Sequence, residues 1–189
     1  GVFVGFTGSK VSTSTDGINW VERTHAFGST TMNSVRYLNG LFVIVGEGGK
    51  IATSPNGITW TLQNSKSYEY INDVAYGNGL FVACLNSAQV YTSPNGVTWT
   101  LRKVGTTVPD YNGIAYGKVM FVTGGDSGLI FTSTNGIDWI ERTVQDSNGQ
   151  EIRSIYYGGE SWVGIHFNYT RVIASANGID WMVLPGGDA

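Results

Sequence analysis

Cysteine, proline, histidine and charge are all scarce in this 189-residue sequence, and each scarcity removes a class of explanation. The single cysteine, Cys84, cannot close an intramolecular disulfide. It sits in "FVACLN", where parallel stretches carry Val45, Gly124 and Ile165, so a packed thiol is expected rather than a nucleophile or metal ligand. The two histidines, His25 and His166, lack any accompanying ligand spacing, and neither zinc nor another cofactor is expected. Charged residues make up only 13% with a formal net charge of -3, and the 11 Lys and Arg are scattered. Phosphate binding needs a clustered positive field, which argues against a nucleic-acid partner. No apolar run approaches the ~20 residues of a membrane span. The opening "GVFVGFTGSK" has neither the basic region nor the cleavage site of a leader. A chain that starts at Gly1 is expected to have been processed or cut from something longer.

What the sequence has is glycine and aromatics. Gly at 27 of 189 is about twice the average usage of roughly 7%, while Pro numbers only 4, a balance that suits many tight turns and not a low-complexity linker. The stretch "SPNGITW" at 54 to 60 returns as "SPNGVTW" at 93 to 99 and, loosened, as "STDGINW", "STNGIDW" and "SANGIDW". The tryptophans that close these stretches, Trp20, Trp60, Trp99, Trp139 and Trp181, lie 40, 39, 40 and 42 residues apart. A fixed period near 40 signals a repeat architecture.

Within each repeat the same four pieces recur, as in "INDVAYG", "GLFVACLN", "QVYTSPNG" and "VTWTLRKV". All are short, rich in Val, Ile, Phe, Tyr and Thr, and bounded by Gly or Asn, so they read as strands A to D. The A-to-B and C-to-D turns carry Asn-Gly or Asp-Gly in several copies, dipeptides that accept the positive φ of hairpins. Strand B is apolar at consecutive positions, as expected of a strand packed on both faces. Strand D is expected to alternate, with Ile58, Trp60 and Leu62 on one side. No helical period is present. An all-β array of blades explains the period; a helical solenoid or a two-sheet sandwich does not.

The pattern Ser-x-Asp/Asn-Gly-x-Thr/Asn/Asp-Trp resembles the Asp-box, or bacterial neuraminidase repeat, of sialidase-like propellers, and the five copies cover nearly the whole chain. The resemblance implies a β-propeller in which the boxes are structural and lie opposite the functional face. It also implies an extracellular or virion-surface setting. The expected fold is a single five-bladed β-propeller over residues 1–189, with repeats near 1–32, 33–71, 72–111, 112–152 and 153–189. Five copies of B, C and D are present but only four of A, beginning near Asn33, Asn72, Asn112 and Arg153. The first blade therefore lacks its inner strand, and pairing there with missing parent sequence or another chain is an expectation.

The repeated turns occupy one face and the divergent D-to-A and B-to-C loops the other, so recognition is expected on the second. Those loops carry Tyr68, Tyr70, Asp110, Tyr111, Arg153, His166, Tyr169 and Arg171, a mixture of flat rings and hydrogen-bonding groups suited to a glycan or a protein surface. Asn168-Tyr169-Thr170 also fits a glycosylation acceptor. The sialidase arginines and Tyr/Glu nucleophile pair have no counterpart. Asp73 is a candidate carboxylate without an evident second one. Three functions remain at this level: a non-catalytic binding propeller, lectin-like or adhesive; a glycoside hydrolase; and a structural module that binds protein.

Overall fold

The computed structural model describes residues 1–25, 27–65, 68–104, 110–144, 149–166 and 171–184. They form nineteen strands in five antiparallel sheets. The first sheet holds β1 (Phe3–Thr7), β2 (Lys10–Ser14) and β3 (Val21–Arg23) in that order. The second runs β4 (Met32–Leu38), β5 (Leu41–Gly46), β6 (Ile51–Ser54) and β7 (Thr61–Gln63), and the third β8 (Ile71–Gly77), β9 (Leu80–Leu85), β10 (Gln89–Ser93) and β11 (Thr100–Lys103). The fourth comprises β12 (Tyr111–Gly117), β13 (Met120–Gly125), β14 (Ile130–Ser133) and β15 (Ile140–Arg142), and the fifth β16 (Ile152–Gly158), β17 (Ser161–His166), β18 (Val172–Ser175) and β19 (Met182–Leu184). Every pair is a meander neighbour, as short hairpin turns require. Strand A is absent from the first sheet, as the repeat count implies.

The sheets pack side by side in chain order, β1 beside β4, β4 beside β8, β8 beside β12 and β12 beside β16. The apolar B strands supply the layers between them. Val43, Ile51, Val74, Phe81, Tyr91 and Trp99 form one core between the second and third sheets, and Val82, Cys84, Val90, Tyr111, Phe121 and Phe131 the next. Cys84 is buried here, and burial pushes its thiol up beyond the ordinary range, so it stays protonated packing material.

Strand A of the third sheet is the "INDVAYG" read from the sequence, and each strand A opens on the residue just before the approximate starts at Asn33, Asn72, Asn112 and Arg153. Met32, Ile71, Tyr111 and Ile152 each pair with the end of strand B, and a bulge follows between the first and third residues. The bulged residue turns toward the next sheet: Nδ2 of Asn33, Asn72 and Asn112 donates to the carbonyls of Ile71, Tyr111 and Ile152 at 3.0, 2.7 and 3.4 Å. Bulges re-aim a side chain in this way. Strand D, in contrast, is shorter than expected. It starts after the box tryptophan, and Ile58 and Leu62 are exposed while Trp60 is buried, so the three are not buried together as alternation would have them. The box hairpin takes up the residues that alternation would have assigned to the strand.

Each box is locally self-satisfied. In the second, Ser54 Oγ accepts the Gly57 amide at 2.8 Å, Asn56 Oδ1 accepts the amides of Ile58 and Thr59 at 2.9 Å, and Gly57 takes φ of 74°. The indole N–H of Trp20, Trp60, Trp99 and Trp181 donates to the carbonyl of its own box glycine at 3.0 to 3.1 Å. Trp139 is the exception, its indole nitrogen buried without a partner among the described residues. The box of one sheet then presses on the sheet before it: a Cβ on Gly57, Gly136 or Gly178 would fall within 3.0 Å of Val4, Leu80 or Met120 respectively. The first box has no such partner, and its flank, with Phe3, Ile18 and Trp20, is open to solvent.

The first box is also the one with a carboxylate at the Asx position. Asp16 accepts the Asn19 amide and side chain, the Ile18 amide and the Ser14 hydroxyl, which hold it well below its ordinary value of 3.8. Because the folded-state value is depressed, the contribution of these bonds is present above pH 3.8 and is lost as pH falls through the folded value. Carboxyl NMR is expected to find Asp16 still ionised at about pH 3, where a free aspartate is mostly protonated. Titration at the ordinary value would show that the carboxylate does not hold the turn.

Candidate functional site

One concavity lies among the divergent loops and another among the inner strands. The first lies on the divergent-loop face, where the B-to-C turn of the second sheet meets the end of β7. Its volume is about 480 Å³, and Lys50, Leu62, Gln63, Asn64 and Tyr68 line it. Strand β5 runs apolar to its end, and a short 3-10 turn at Glu47–Gly49 then reverses the chain, with Gly48 at φ of 65°. The turn is clamped from both sides. Lys50 Nζ donates to the Phe27 carbonyl at 2.7 Å and to Thr30 Oγ1 at 2.5 Å, and the buried Ser65 hydroxyl donates to the Gly49 carbonyl. The floor is thus rigid. Tyr68 rises from its rim, 93% exposed.

The second concavity lies among the inner strands, about 290 Å³, bordered by Arg36, Tyr76, Tyr116, Tyr156 and Tyr157 from four different sheets. Arg36 dominates its electrostatics. Its Nε and Nη2 grip the two oxygens of Asp73 at 3.0 and 2.7 Å, Ser34 Oγ donates to Asp73 at 2.7 Å, and the Val74 amide adds a fourth bond at 2.9 Å. The bonds to Asp73 raise the Arg36 pKa further, and the guanidinium carbon lies 5.9 Å above the Tyr156 ring. Asp73 is therefore a saturated acceptor inside an ion pair, which is the opposite of what a general acid or nucleophile needs. The sequence left Asp73 without a partner because Arg36 lies in the neighbouring sheet. The signal was a lone charge at a position filled elsewhere by Ala75, Ala115 and Tyr156.

The residues expected to bind ligand do not gather at one place. Tyr68 lines the loop-face groove, and Tyr70 is exposed beyond it. Asp110 caps the next B-to-C turn, accepting the Ser87 amide at 2.9 Å. Tyr111 and His166 lie within sheets, not on loops. Tyr111 opens β12 fully buried, its ring edge-on to Phe131 at 5.4 Å, and burial raises its hydroxyl pKa. His166 closes β17, fully buried, with Nδ1 3.2 Å from Gln150 Oε1; burial first and then Arg171 lower its pKa, favouring the neutral ring. Both are paired positions because strand A opens on the residue before Asn112 and Arg153. Arg153 pairs with Glu151 at 3.0 Å, and Arg171 is exposed. Tyr169 and the Asn168-Tyr169-Thr170 acceptor lie outside the described residues. Lys50, Gln63 and Asn64 of the groove lie in the divergent loops "GEGGK" and "QNSKSYEY" of the expected face but carry no signal that singles them out there.

Among the described residues no group of three or more His, Cys, Asp and Glu could hold a metal ion, and no helix is long and apolar enough to cross a membrane.

Five antiparallel meander sheets packed side by side in chain order, four of them bordering one cavity with their inner strands, have the architecture of a β-propeller-like fold. Solved structures agree. The chain is similar to virginiamycin B lyase from Staphylococcus aureus, with a TM-score of 0.80 at 15% identity over 96% of this chain and 64% of that one. It is also similar to YCF48 from Cyanidioschyzon merolae, with a TM-score of 0.67 at 14% identity over 85% and 57%, and to YCF48 bound to D1 peptide, with a TM-score of 0.66 at 18% identity over 92% and 60%. The chain thus spans less than two thirds of the length of these neighbours. No protein-family model and no curated protein sequence matches it.

Proposed function

We propose that the chain is a non-catalytic binding propeller of five blades, the first without its inner strand, that takes a carbohydrate on the divergent-loop face in an extracellular or virion-surface setting. The observation that carries this reading is the groove at the Gly48 turn. It combines a clamped backbone, the side-chain amides of Gln63 and Asn64, and the nearly free ring of Tyr68. A flat ring beside hydrogen-bonding groups over a clamped floor suits the alternating apolar and hydroxyl faces of a sugar. A glycan array is the test, and no binding to any saccharide would overturn the reading. For a saccharide hit, Tyr68→Ala is expected to weaken binding about 10-fold, the loss of one stacking contact, with thermal stability unchanged because the ring is exposed. Unchanged affinity in titration calorimetry would remove the groove from the site.

A second reading, a module that binds protein, is favoured by the likeness to YCF48, which is described in complex with D1 peptide. The glycoside hydrolase alternative is disfavoured by the pairing of Asp73 with Arg36. Turnover of sialyl or arabinosyl chromogenic substrates would revive it.

A further inference from the structure

Strand β1 pairs with β2 alone, so its inner edge is unpaired among the described residues. In the other four blades the same edge carries strand A, and three contacts recur there. An inner-strand tyrosine packs on the ring that follows the turn: Tyr37 on Phe42, Tyr76 on Phe81, Tyr116 on Phe121 and Tyr157 on Trp162, with centroids 4.6, 4.6, 4.7 and 4.8 Å apart. Phe3 holds the equivalent place in β1 and is 55% exposed.

The second contact is the Asn ladder, in which the bulged residue of one blade donates to the first carbonyl of the next inner strand. Met32 presents that carbonyl in the second blade, and the first blade has no Asn to reach it. The third is a tyrosine laid flat on the glycine ending the preceding inner strand. A Cβ on Gly77 would fall 2.0 Å from the Tyr116 ring, and one on Gly117 2.2 Å from the Tyr157 ring. Tyr37 holds the equivalent place in the second blade and is 63% exposed. Phe3, the Met32 carbonyl and Tyr37 therefore hold the three positions that an inner strand contacts in the other blades, and each specifies a residue of such a strand.

We infer that the edge of β1 accepts an extended peptide from outside these 189 residues, antiparallel to β1, with the pattern apolar-Asn-Ser/Asp/Gly-Val/Ile-x-Tyr-Gly. Its tyrosine lies opposite Phe3, its glycine beneath Tyr37, and its Asn donates to the Met32 carbonyl. Backbone bonds to an open sheet edge give such a peptide affinity, and the alternate side chains give it specificity. A second copy of the chain does not fit the role, because each of its four strands of this pattern, β4, β8, β12 and β16, is already held within its own sheet. Nor does the fifth blade offer a continuing surface to another copy. Arg153 replaces the ladder Asn, and the exposed Ser161 replaces the apolar Val2, Leu41, Leu80 and Met120 of the other blades. The inference rests on the β1 edge and not on the loop-face groove, so the saccharide reading stands or falls separately.

The test uses the 189-residue chain and a synthetic nine-residue peptide with the sequence of residues 70 to 78, "YINDVAYGN". Titration calorimetry is expected to show saturable binding, and amide exchange is expected to show new protection on alternate residues of β1. Replacing the peptide tyrosine with alanine weakens binding about 5-fold, the value of one aromatic pair. Replacing its Asn with alanine weakens it by a similar factor, about one hydrogen bond. Phe3→Ala in the chain matches the tyrosine-deleted peptide, and its exposed position leaves folding intact. Three results would overturn the inference: no saturation at millimolar peptide, equal binding of the alanine peptides, or β1 protection that grows with chain concentration in the absence of peptide, which would assign the edge to a second copy.

Discussion

Trp99→Ala lowers the stability of the chain by about 3–5 kcal/mol, whereas Trp20→Ala, the same change in the same motif, costs less than about 1 kcal/mol. Trp99 is 5% exposed and stands edge-on to both Phe81 and Tyr91 at 6.4 Å, with its N–H bonded to the Gly96 carbonyl at 3.0 Å. Truncation there opens a cavity between two blades and orphans a buried carbonyl. Trp20 makes the equivalent N–H bond at 3.1 Å but is 46% exposed, since no blade packs on its flank. Urea denaturation at neutral pH separates the two. Equal losses would mean that the indole contributes through its own hairpin and not through packing between blades.

Arg36→Ala is expected to cost about 2–3 kcal/mol, below the full cost of splitting a buried pair because the guanidinium is partly solvated. What it leaves behind is the Asp73 carboxylate, only 8% exposed, with the Ser34 hydroxyl and the Val74 amide as its remaining donors. Asp73→Ala leaves an arginine that retains water and the face of Tyr156, so its cost is smaller, about 1–2 kcal/mol. The double variant is expected to fall short of the sum by about 1–2 kcal/mol, the coupling of a direct charge pair. Additive losses in the denaturation cycle would show that the two residues act independently and would return Asp73 to candidacy as a free carboxylate.

The architecture was legible because the repeat writes it five times. Box spacing gave the sheets, the Asn-Gly and Asp-Gly turns gave their meander order, and four copies of strand A against five of B, C and D gave the three-stranded first sheet. Strand ends were less legible, since period-2 reasoning carries no signal for a bulge. That one-residue shift moved Tyr111 from a presumed loop to a buried pair and made Asn33, Asn72 and Asn112 links between blades. His166 was misplaced for the same reason, as the partner of Ile152 across β16 and β17. The groove was legible only in part. Tyr68 could be picked out as an aromatic in a variable loop, but Lys50 and Gln63 reach the same hollow from separate turns. The Arg36–Asp73 pair spans residues of adjacent repeats, a contact that a single sequence does not reveal.

The claim on which the rest depends is that the repeated hairpins are scaffold, closed against neighbouring blades, and not a five-fold ligand surface. Hydrogen exchange at the indole N–H groups measures this directly. The account predicts slow exchange at Trp60, Trp99 and Trp181, each at most 9% exposed and bonded to a glycine carbonyl, with Trp20 the fastest of the box indoles. Uniformly fast exchange across the boxes, or slowing of all five when a ligand binds, would contradict it.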